Sequence, residues 1–109
     1  MDDESNDFDI VASIDGEVGR VVVTGELDTD SAPRLISAMN EIAVAPRRGV
    51  ELDCEGVTFL DSAGVRALIV ARNEATRNGV DLVLVRPSAH LTRVMEMTGL
   101  VGFLSVSGS

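Results

Sequence analysis

FLDSAG, residues 59 to 64, sets an acid beside a hydroxyl, between apolar neighbours and an alanine–glycine pair. Ser62 has three chemistries open to it there: nucleophile, phosphate acceptor, or cap of a following helix. A second polar stretch, GELDTDS over residues 25 to 31, offers Glu26, Asp28 and Thr29. A serine nucleophile needs a base beside it and an acid to orient that base. The one histidine, His90, falls in a helical stretch elsewhere, where it reads as a solvated residue, and G-x-S-x-G is absent. Nothing in the sequence activates Ser62, so the chain is read as a binding module and not an enzyme. A helix N-terminus presents unpaired amides and a partial positive charge, and both favour a phosphate. A plain N-cap would contribute about 1 kcal/mol. Acceptor and cap both stand at this level.

The other reactive residues carry less. Cys54 is alone, which rules out an internal disulfide and a thiol cluster for a metal. It reads as a small core residue. Asp53 ends a predicted strand, where a receiver-type domain carries its phosphoacceptor aspartate. Such domains also use a lysine after the last strand, and this chain has no lysine. Asp53 is therefore expected to be the outward member of an alternating strand. No metal-ligand spacing is visible, and no cofactor is expected.

The elements that must position these groups follow from hydrophobic period. FDIVASI and RVVVTGEL, joined by the turn signal DGEVG, read as a β-hairpin. From Asp28 onward the period changes. Leu35, Ile36, Met39, Ile42 and Ala43 share one helical face, with Asp30 or Ser31 as cap and Pro33 in the first turn. VELDC reads as the next strand and EGVTFL as a loop leading to Asp61. Ser62 to Arg77 is a helix with Val65, Leu68, Ile69 and Arg72 on its stripe. VDLVLV reads as a central strand. A third helix is capped by Ser88 and ended by Gly99, with Leu91, Val94, Met95 and Thr98 inward and Leu100 folding back. VGFLSV is the last strand. The order β-β-α-β-α-β-α-β predicts an α/β fold with a small mixed sheet. Function in such sheets gathers beyond the carboxyl ends of the strands. If the second and third strands are neighbours, Asp28, Asp61 and Ser62 share one rim.

Composition limits the partners. The 109 residues suit one domain, with 45% hydrophobic and 25% charged residues. Net charge is −9, all basic residues are arginine, and the acids crowd the first thirty positions. Such a surface repels phosphate backbones and anionic lipid, so direct nucleic-acid binding is not expected, while a basic protein partner would be steered in. Aromatic content of 3% leaves no platform for base stacking. No apolar run approaches the roughly 20 residues of a membrane span. MDDESNDFD has none of the features of a secretory signal. A cytoplasmic protein without membrane insertion is expected.

Taken together, VVVTGELDTDSAPRL, LDCEGVTFLDSAGVRAL, VDLVLVRPSAHLTRVMEMTGL and VGFL resemble the STAS domain. More narrowly, they resemble bacterial anti-sigma factor antagonists, over about residues 8 to 104. The expected organisation is an acidic tail at 1–7, one STAS domain at 8–106 and a polar end at 107–109. The resemblance implies that Ser62 is phosphorylated by the cognate anti-sigma factor, itself a serine protein kinase. ATP and magnesium belong to that kinase. Unphosphorylated, such a protein binds the anti-sigma factor and frees the sigma factor. Phosphorylated, it lets go until a serine phosphatase resets it. Glu26, Asp28, Thr29, Asp61, Ser62, Ala63 and Gly64 match the family's contact segments. Position 63 is alanine where many members carry a second hydroxyl, and the segment after VGFLSV is shorter than in many members. Two other STAS roles compete: a subunit of a membrane-associated transporter assembly, and a ligand-sensing module.

Overall fold

The structure, a computed structural model, describes residues 8–43, 48–99 and 105–107. The expected tail at 1–7, the loop after the first helix at 44–47, the fold-back of Leu100 and the first part of the last strand lie outside these residues. Among the described residues, eight elements follow in the expected order: β1 (Asp9–Asp15), β2 (Val18–Leu27), α1 (Ala32–Ala43), β3 (Gly49–Leu60), α2 (Ser62–Arg77), β4 (Asp81–Val85), α3 (Ala89–Thr98) and β5 (Ser105–Ser107). They form one five-stranded sheet in sequence order. β1 pairs antiparallel with β2, and every later pair is parallel. The expected mixed α/β sheet with an antiparallel edge is the observed one.

Alternation explains the core. Val21, Val23 and Leu27 of β2, Val50 and Leu52 of β3, and Leu82 and Leu84 of β4 are all buried. They meet Leu35, Met39 and Ile42 of α1 and a small-residue stripe on α2. That stripe is Gly64, Ala67, Leu68, Ala71 and Ala75. The sequence pattern put Val65, Ile69 and Arg72 inward beside Leu68, but these three are only half-buried. Close approach to α1 and the sheet selects the short side chains, so the buried stripe runs through alanines. On α3, Leu91 and Met95 are buried as expected, while Thr98 is exposed and its hydroxyl donates to the Val94 carbonyl at 2.8 Å. Ser88 caps α3 by accepting the Leu91 amide at 3.1 Å, and Gly99 ends it at φ 75°.

The largest departure lies in β3. EGVTFL is strand, so β3 runs unbroken to Leu60. Between the Val22–Asp53 and Thr24–Gly56 pairs, β3 advances one residue more than β2. It does so again between Gly25–Val57 and Glu26–Phe59. These irregularities break the two-residue period, because each extra residue shifts the following side chains to the other face. A strand carrying them does not alternate and reads as a loop.

Candidate functional site

β2 and β3 end together, with Glu26 level with Phe59 and Leu27 with Leu60. The segments that leave them lie side by side, and the Asp61 amide donates to the Leu27 carbonyl at 3.4 Å. Parallel neighbours with a shared end are what bring GELDTDS and FLDSAG to one rim.

Two acids at this rim, Asp28 and Asp61, hold backbone. Asp28 Oδ1 accepts the amides of Asp30 at 3.0 Å and Ser31 at 3.1 Å. Ser31 is buried; its hydroxyl donates to the Glu26 carbonyl at 2.7 Å and accepts the Asp28 amide at 2.9 Å. Ser31 stands at the cap position of α1, since its carbonyl accepts the amides of Arg34 and Leu35. Its hydroxyl turns back into the loop and does not cap helix amides, and Asp30 does not cap α1 either. Asp61 is the N-cap of α2, with Oδ1 accepting the Gly64 amide at 3.0 Å. Ser62 is therefore not the cap. It is the first helical residue, it is exposed, and its side chain makes no hydrogen bond among the described residues.

Gly64 fixes how α2 leaves the rim. A Cβ there would run into the Leu27 carbonyl oxygen and lie 2.9 Å from Leu60 Cβ. Glycine lets α2 start against the ends of β2 and β3, which sets Ser62 at the surface. Beside it opens a groove of about 480 Å³ between α1 and α2, with Thr29, Ile36, Ser62, Ala63, Arg66 and Ala67 among its walls. Of the sequence-selected residues, Thr29, Ser62 and Ala63 line this groove. Asp28, Asp61 and Gly64 build the turns behind it. Glu26 does not line it; it is half-buried at the end of β2. Arg66 was not singled out from the sequence, although its place four residues after Ser62 on a helix was visible there.

Two further expectations are corrected. Asp53, expected to be the outward member of an alternating strand, is buried at 4% exposure. It accepts from Arg86, from Arg20 at 3.3 Å and from the Glu55 amide at 3.1 Å. Burial pushes the Asp53 carboxyl up, but the Arg86 hydrogen bond, the Glu55 amide and the charges of Arg86 and Arg20 outweigh it and hold its pKa below the usual value. Arg86 reaches it from a left-handed backbone, φ 49°, just after β4. His90 is half-buried and packs against Phe59 with ring centroids 5.8 Å apart. Cys54 is buried as expected, and burial, with the neighbouring Asp53 charge, pushes its thiol up to about 12. At neutral pH it is a protonated core residue. Among the described residues no group of side chains could hold a metal ion. No helix there is long and apolar enough to cross a membrane.

Comparison with known proteins fits this geometry. The "Anti-sigma-B factor antagonist" of Listeria monocytogenes is 28% identical over 86 residues, covering 79% of this chain and 75% of that protein. An anti-sigma factor antagonist from Mycobacterium paratuberculosis superposes with a TM-score of 0.81 at 22% identity, over 94% of this chain and 86% of that one. The Bacillus cell fate determinant SpoIIAA in its phosphorylated form superposes with a TM-score of 0.68 at 18% identity, over 94% and 92%. At these identities the superpositions establish the fold. The family model described as "Mlab, STAS domain" matches residues 10–105, nearly every described residue. The chain belongs to the STAS domain family.

Proposed function

We propose that this protein is an anti-sigma factor antagonist switched by phosphorylation at Ser62. Unphosphorylated, it binds an anti-sigma factor that is also a serine kinase, and the sigma factor is freed. A phosphate on Ser62 ends that binding, and a serine phosphatase restores it. The protein acts in the cytoplasm as a binding module, with residues 8–106 as the working domain. The kinase supplies the nucleotide and the metal.

The observation that carries this reading is the state of Ser62. It is exposed at the first position of α2, and among the described residues no side chain, basic or otherwise, hydrogen-bonds its hydroxyl. A hydroxyl so placed suits transfer by an external kinase and does not suit nucleophilic catalysis of its own. Thr29 and Ala63 flank it on the groove, and the turns built by Asp28, Asp61 and Gly64 hold it in place. The relatives named as antagonists point the same way. A phosphate adds roughly −1.5 to −2 charges at neutral pH. Placed on a fitted docking surface, that charge weakens association without refolding the domain.

The test is intact mass after incubation with candidate anti-sigma kinases, ATP and magnesium, for the wild type and for Ser62→Ala. The expected result is one phosphate on the wild type, none on the variant, and weakened binding after transfer. No transfer from any candidate, with tight binding to a membrane-transport component instead, would replace this reading with that of a transporter subunit.

A further inference from the structure

We propose that Arg66 is the intramolecular partner of a phosphate on Ser62 and holds it at the mouth of the α1–α2 groove. This rests on the phospho-switch reading and adds a second working residue to it. Ser62 and Arg66 are four apart on α2 and line the same groove. Residues so spaced face each other along a helix, with about 5–6 Å between Cβ atoms. Helical side chains lean toward the N-terminus, so an arginine at position 66 is able to reach back toward the turn that carries Ser62. Arg66 is exposed and makes no ion pair among the described residues.

The acids nearby do not take that place. The Asp61 and Asp28 carboxylates hold the amides of Gly64, Asp30 and Ser31. Other cations are engaged with partners of their own: Arg20 and Arg86 with Asp53, Arg77 with Glu74 at 2.9 Å, Arg48 with Glu17 at 4.0 Å, and Arg34 with the Phe8 ring. Among the described residues that line the groove, Arg66 is the cation. A guanidinium matches a phosphate with two parallel N–H···O bonds, a geometry an ammonium cannot reproduce. Held by this fork, the phosphate would fill the groove mouth from within. A docking partner would then meet an occupied groove as well as added charge.

Phosphoserine installed at position 62 by genetic-code expansion tests this without any kinase. The ³¹P signal would be titrated in otherwise wild-type protein, in Arg66→Gln and in Arg66→Lys. Pairing with Arg66 favours the dianion, so Arg66→Gln should raise the titration midpoint by about 0.3 pH unit. Arg66→Lys should fall between the two, because it keeps charge and loses the fork. The helix end and the neighbouring acids are common to all three proteins, and Arg66 is exposed, so the variants should fold. Equal midpoints in wild type and Arg66→Gln would overturn the proposal. Failure of every candidate kinase to modify Ser62 would leave this measurement standing and would count against the switch alone.

Discussion

Two polar constellations sit on β3, and they behave oppositely. Midway along the strand, Asp53 is buried beneath Arg20 and Arg86, and each charge has a partner. At the end of the strand, Asp61 and Asp28 hold backbone amides, and the exposed Ser62 hydroxyl makes no hydrogen bond among the described residues. The first region has more charge, and, against the effect of burial, its carboxyl is held below the usual value by the two arginines and the Glu55 amide. It is nonetheless the structural one, since it ties β2, the centre of β3 and the exit of β4 together. The second has less electrostatic drama and an uncommitted, exposed group. A cluster of charges whose bonding is complete stabilises a fold. A site for a partner or a modification needs a group whose bonding is not.

The contrast is broken most severely by removing what lets the rim form. Gly64→Ala drives a methyl group into the Leu27 carbonyl and against Leu60. Backbone cannot rotate aside as a side chain can, so α2 must shift from the ends of β2 and β3. A loss of about 3 kcal/mol in denaturant unfolding is expected, at the upper end of overpacking costs. The same shift would move Ser62, so phosphate acceptance should fall with stability.

Asp53→Asn is the next largest. It leaves the two arginines facing a neutral amide, but both are partly exposed and can turn to water. That limits the loss to about 2 kcal/mol, below the value for a fully buried broken pair. A carboxyl whose folded pKa lies below its unfolded value stabilises the fold wherever it is ionised in both states. The Asp53 contribution is therefore complete above the unfolded value of about 4, and fades as pH falls from there through the lowered folded value. Unfolding curves for wild type and variant should stay apart at neutral pH and converge in acid. A constant gap down to strong acid would mean that packing, not charge, explains the effect. Phosphate acceptance at Ser62 should survive this substitution, since the rim uses none of these residues.

The sequence made the rim more legible than the strand that leads to it. Caps and turns are local: the Asp-Ser-Ala-Gly run and Ser88 before α3 mark helix starts within a few residues, although the capping oxygen at the rim belongs to Asp61 and not to Ser62. The continuation of β3 through EGVTFL was hidden because two register shifts remove the alternation by which a strand is read. Asp53 was placed on the correct face and given the wrong surroundings. Its cover comes from Arg20 on β2 and from Arg86 just after β4, and single-strand alternation carries no information about them. The inward face of α2 was missed because hydrophobicity favours Val65 and Ile69, while close packing favours Ala67, Ala71 and Ala75. Arg66 was overlooked for a related reason. Helical patterns are scanned for apolar residues, and a lone cation reads as surface until the groove beside it is seen.

Ser62→Ala should have the smallest effect on stability, and this sharpens the comparison most. The serine is exposed and its side chain makes no hydrogen bond among the described residues, so nothing in the fold depends on its oxygen. A change within about 0.5 kcal/mol is expected, as for surface positions away from caps and cores. Alanine is also the best helix former, which offsets any small loss at the first turn. The informative quantity is the ratio between two readouts on one protein: unfolding free energy nearly unchanged, phosphate acceptance abolished. Asp53→Asn should show the reverse ratio. If Ser62→Ala instead cost as much as Asp53→Asn, the hydroxyl would be part of the scaffold, and the distinction between a completed cluster and an uncommitted group would fail at the place where it matters most.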